Sequence, residues 1–139
     1  MRNTCGPKTG KRRLLMSVTH SKLLYGAEVW AGCIRKVTYA AKLTSVQRQG
    51  ALRISCAHRT VSLKAALVIA GVIPVDLLAL ERQYIYLNKG KEGIDRAKAS
   101  ARQISLSKCQ DRWTDYSESR WTKRLIGEIS PWINRGHGA

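Results

Sequence analysis

The sequence predicts an all-α fold of five or six helices. Three observations carry this expectation. Apolar residues recur at spacings of three and four over long stretches. Alternating strand patterns are scarce, and capping or stopping residues punctuate the periodic stretches. At 139 residues the chain has room for one modest domain or a piece of a larger one.

The first dozen residues read as a loop, because Gly6-Pro7 and Thr9-Gly10 are turn chemistry. A helical pattern then runs from Arg12 to about Ile34. Leu14, Val18, Tyr25 and Val29 share one face, with Leu15, Leu24 and Trp30 beside it, and Gly26 and Gly32 weaken the run. A second helix is expected from about Tyr39 to Cys56. Leu43, Val46, Gly50 and Ile54 line one side, while Arg48 and Arg53 project elsewhere. Ser62 is a good N-cap for a third helix, Leu63 to Ala70, which Gly71 stops and Pro74 separates from the next element. Asp76 is expected to cap a fourth helix, about Leu77 to Asn88, striped by Leu77, Leu80, Tyr84 and Leu87. Residues 95–117 carry a weaker stripe of Ile104, Leu106 and Trp113. A final helix is marked by Trp121, Leu125, Ile129 and Trp132, with Pro131 ending it before Trp132.

The formal net charge is +16 and it is lopsided. Residues 1–70 hold thirteen Lys or Arg against one acid, Glu28, for +12; residues 71–139 contribute only +4. Such a field attracts polyanions, with nucleic acid the first candidate and an anionic membrane surface the second. No run of eighteen apolar residues exists, so no membrane span is expected, and MRNTCGPKTGKRR does not read as a signal peptide. Cys5, Cys33, Cys56 and Cys109 match no zinc-site spacing and read as isolated thiols of an intracellular compartment, nuclear or cytoplasmic. Cys33 and Cys56 read as small core residues.

Catalytic signatures are missing. One acid in residues 1–75 cannot build a paired-carboxylate metal site. Asp111, Asp115 and Glu118 read as an ordinary solvated face, with Lys108 and Arg112 interleaved. Gly6 to Lys11 fails the phosphate-loop pattern, having three residues between its glycines and Arg12 after the Lys. His20, His58 and His137 suggest no nucleophilic arrangement. No metal and no cofactor is implied for the chain itself.

The strongest local signal is Gln47 to Ser62, which carries Arg48, Arg53, His58, Arg59, Thr60 and Ser62 with no acid. Arg offers planar bidentate donors to phosphate, and hydroxyls and a helix N-terminus add neutral ones. Arg48, Arg53, Arg59, Thr60 and Ser62 are therefore the expected nucleic-acid-binding residues. Lys11, Arg12 and Arg13 form an auxiliary basic cluster, beside Lys8.

Three segments also resemble a known family. LLYGAEVW (23–30), VQRQGALRISCAHRTVS (46–62) and AALVIAGVIPVDLLALERQYIY (65–86) resemble the region just downstream of the polymerase core in non-LTR retrotransposon reverse transcriptases, most nearly the insect type-1 and jockey-like elements. RWTKRLIGEISPWINRGHG (120–138) continues the resemblance, while 87–119 match poorly. The resemblance implies a thumb-like helical bundle over 1–88 and a looser helical connector over 89–139, leading towards an absent zinc knuckle. It implies a non-catalytic fragment of an RNA-directed DNA polymerase from a transposable element. Its partners would be template–primer nucleic acid (an RNA/DNA or DNA duplex) and the palm and fingers of the parent enzyme, whose paired-Asp motif is not in this sequence. The alternative, from another class, is an independent basic helical DNA-binding or architectural protein.

Overall fold

The computed structural model describes residues 6–135. All of the regular structure among them is helical: α1 (Thr9–Leu23), α2 (Ala27–Trp30), a 3-10 turn (Ala31–Arg35), α3 (Val37–Ser55), α4 (Leu63–Ala70), α5 (Val75–Glu92), α6 (Ile94–Thr114), α7 (Arg120–Leu125) and α8 (Ile129–Asn134). The all-α expectation holds, with eight α-helices where five or six were expected. The difference lies at the two ends of the chain.

The run expected from Arg12 to Ile34 breaks at Gly26, which takes φ +64°, a left-handed turn that costs glycine nothing. The face expected to be buried is outside: Leu14, Val18, Tyr25 and Val29 are all exposed. The inward stripe of α1 is instead Arg13, Met16, His20 and Leu23. At the other end, the stripe from Trp121 to Trp132 is split between α7 and α8. Trp121 and Leu125 are exposed, while Ile129 is buried. Pro131 ends nothing; it sits in the first turn of α8, where no N–H is needed from it.

The middle of the chain follows its caps. Ser62 Oγ accepts from the Ala65 N–H at the start of α4. Gly71 closes α4 at φ +66°, donating to Val68 O, while Val72 N–H donates to Leu67 O. Asp76 is not the cap of α5. Pro74 holds that position, and Asp76 reaches Arg112 of α6 at 2.7 Å. Glu81, nearly buried, pairs with Arg102 at 3.0 Å, so two ion pairs cross from α5 to α6.

α5 is the central helix. It packs against α2, α3, the 3-10 turn and, most extensively, α6. Val75 and Ala79 face Leu24, Ala27 and Ala31, while Leu77 faces Trp113, Cys109, Ile126 and Ile129. α6 offers α5 a stripe of one residue per turn, Ala97, Ala101, Ser105, Cys109 and Trp113, mostly too small to register as apolar periodicity. The expected stripe residue Ile104 is exposed. A third cluster joins Met16 of α1, Ala51 and Ile54 of α3, and Ala66, Leu67 and Ala70 of α4. α1 reaches α3 closely because residue 50 is glycine: a Cβ there would overlap the Met16 sulfur. Among the described residues no single helix is long and apolar enough to cross a membrane.

Candidate nucleic-acid interface

Gln47 fixes how α3 meets the rest. It is fully buried. Its Oε1 accepts from the Val75 N–H at 2.8 Å, and its Nε2 donates to Ile73 O at 2.7 Å. One side chain thus satisfies backbone groups on both sides of Pro74 and supplies the first N–H of α5 with an acceptor that its own helix cannot give. The second Nε2 proton points to His20 Nε2, 3.1 Å away. That ring nitrogen must then be an acceptor, so His20 is neutral. Burial first, and the Arg82 cation second, hold its pKa below the usual histidine value.

The same helix presents the basic segment. Arg48 Nη2 donates to Arg59 O at 2.6 Å and Val61 O at 3.0 Å, folding the α3–α4 connection back on α3. Arg12 of α1 donates through Nε to Pro7 O at 2.6 Å and through Nη1 to Arg53 O at 3.1 Å, and it also contacts Cys56 Sγ. The N-terminal basic cluster and the C-terminal end of α3 are therefore brought together. Lys11, Arg53 and Arg59 are exposed there, and their side chains hold no hydrogen bond or ion pair among the described residues. Ser62 keeps its hydroxyl proton free while capping α4. Thr60 spends its hydroxyl on His58 Nδ1, which also takes the Thr60 N–H.

Arg13 does not join this group. Its Nη2 donates to Ala70 O at 2.8 Å, at the far end of α4 from Ser62; eight residues of helix put about 12 Å between the two. Burial, then the neighbouring Arg135 cation, lowers its pKa. Lys64, in the first turn of α4 and exposed, is a basic residue that sequence reading did not assign. Its Nζ lies 4.4 Å from the Tyr116 ring centre, a neighbour 52 residues away that no local pattern could reveal.

Cys33 and Cys56 are exposed, against the expectation of core residues. Cys56 occupies the left-handed position after α3, φ +51°, with the Ala57 N–H donating to Leu52 O; the position is one usually filled by glycine. Cys109 is buried, and burial raises its thiol pKa. Cys5 and His137 lie outside the described residues. Asp111, Asp115 and Glu118 are exposed, and no three His, Cys, Asp or Glu among the described residues come together in a set that could hold a metal ion.

No protein family, curated protein or solved structure matches the chain.

Proposed function

We propose that this chain binds template–primer nucleic acid through the phosphate backbone, as the non-catalytic thumb and connector of a non-LTR retrotransposon reverse transcriptase. The observation that carries the reading is the end of α3, where Arg12 of α1 reaches Arg53 O and Arg48 draws in the connection to α4, in a segment of sequence, Gln47 to Ser62, that holds no acid. Lys11, Arg53 and Arg59 stand there with no internal partner among the described residues, beside Lys64 and the free N–H groups that open α4. Arg12 and Arg48 shape this region and retain guanidinium N–H groups for phosphate. Such contacts position a duplex without reading its sequence, which suits a protein that must follow any template. The fingers and palm of the parent polymerase would be its protein partners.

The test is fluorescence anisotropy with two unrelated DNA duplexes and an RNA/DNA hybrid over a range of salt. Neutralising about five phosphates gives a slope of log K against log salt of roughly −4 to −5. Arg53→Ala and Arg59→Ala should each flatten the slope by about 1, with equal loss on every sequence. Arg13→Ala should leave it unchanged. A strong preference for one DNA sequence would favour an independent DNA-binding protein instead. Template-directed nucleotide incorporation by the purified chain would refute the non-catalytic role.

A further inference from the structure

A second basic surface lies away from the α3–α4 connection. α1, α2, the 3-10 turn and α3 enclose an open groove of about 500 Å³. Leu23, Ile34 and Leu43 give it apolar walls, Trp30 and Tyr39 give it aromatic ones, and Lys36 and Lys42 stand beside them. No carboxylate among the described residues lines it. Trp30 already donates its indole N–H to Tyr25 O at 2.8 Å, so what it offers the groove is ring surface. Tyr39 is half exposed, and both lysines are exposed without an ion pair among the described residues.

An apolar groove open to water needs an occupant, and the charge decides its chemistry. A hydrophobic peptide would satisfy the walls and leave the cations unmatched. A duplex would satisfy the cations and leave the rings unused, because its bases are stacked on one another. A single strand satisfies both, since each nucleotide brings a flat face and a phosphate. We propose that this groove is a binding site for single-stranded nucleic acid, with an unstacked base against Tyr39 and Trp30 and its flanking phosphates at Lys36 and Lys42. The inference rests on the proposed nucleic-acid binding and extends it from the duplex to the unpaired strand that must continue beyond any template–primer junction.

The experiment measures anisotropy of a fluorescein-labelled deoxythymidine homopolymer and, in parallel, of a random-sequence DNA duplex. Tyr39→Ala should weaken the single strand about ten-fold and leave the duplex nearly unchanged, while Tyr39→Phe keeps the ring and restores binding. Lys36→Gln with Lys42→Gln should flatten the salt slope for the single strand by roughly 1.4. Because Tyr39 is half exposed, the variant is expected to melt like the parent protein. Photocrosslinking with iodouridine in the strand should map to the peptides holding Trp30 or Tyr39. Equal loss of both ligands in Tyr39→Ala, or crosslinks confined elsewhere, overturns the inference and leaves the duplex reading standing. Failure to bind either ligand overturns both. Sedimentation showing that Tyr39→Ala dissociates a dimer assigns the groove to a second copy of the chain and overturns the inference as well.

Discussion

Replacing Gln47 by Leu tests the central packing argument most sharply. The substitution keeps the side-chain size and removes both hydrogen-bonding ends. The Val75 N–H and Ile73 O are left without partners at positions that are 0% and 4% exposed. An orphaned buried group costs about 1–3 kcal/mol, so the pair costs about 2–6. The greater apolar burial of Leu offsets about 1–2 of this, on the scale of a buried aliphatic side chain. The expected net loss is about 1–4 kcal/mol, a large share of the roughly 5–15 kcal/mol typical of a domain. Urea unfolding followed by circular dichroism should show the midpoint falling by roughly 1–2 M. Amide exchange should single out Val75, whose protection is expected to fall before that of mid-helix amides in α5. A loss below about 1 kcal/mol, or unchanged protection at Val75, would refute the claim that Gln47 joins α3 to the turn before α5.

The same geometry sets three further outcomes. His20 is held neutral, so the unfolded chain binds its proton first as pH falls; the stability present above about pH 6.5 is expected to decline towards pH 5. The slope should be only a fraction of the one-proton limit, because the ring is partly solvated, and unfolding midpoints of His20→Gln should show less of this decline. Cys56→Gly relieves the left-handed strain after α3 and is expected to stabilise by about 0.5–1 kcal/mol, read as a higher urea midpoint; destabilisation would mean that the Arg12 contact outweighs the strain. Gly50→Ala gains about 1 kcal/mol of helix propensity but overpacks Met16 at a cost of about 1–3, and the expected net loss should shrink when Met16→Ala is combined with it in a double-mutant cycle.

The parts legible in the sequence were those written in local chemistry. Ser62 and Gly71 bound α4 where their side chain and backbone freedom require it. The faces of α1 and α6 were not legible, for two different reasons. In α6 the buried stripe is mostly small residues, whose value is close approach to α5 rather than apolar area. In α1 the buried stripe includes Arg13 and His20, whose partners are Ala70 O and Gln47, 57 and 27 residues away. A polar residue whose partner lies that far along the chain looks solvent-facing in sequence, and the leucines left over look like core. The basic segment was legible by composition. Which of its cations are free was not, because that depends on which carbonyl each one reaches.

That dependence has a physical origin in the shortage of acids. Helix C-termini carry unsatisfied carbonyls and a partial negative charge, and cations are favoured there. With one acid in its first 70 residues, the chain directs arginine to these ends. Arg82 donates to Leu24 O after α1, Arg12 to Arg53 O near the end of α3, and Arg13 to Ala70 O at the end of α4, while Arg48 gathers the carbonyls of the α3–α4 turn. The charge of +12 in residues 1–70 therefore overstates the number of cations waiting for phosphate. It also separates two kinds of variant. Removing Arg48 leaves two carbonyls without their donor and should lower stability together with affinity. Removing Arg53 or Arg59 leaves no group among the described residues unpaired and should lower the proposed nucleic-acid affinity alone. If Arg53→Ala and Arg48→Ala proved equally destabilising, the division of the arginines into internal clamps and unpaired cations would fail, and with it the location of the proposed duplex-binding face.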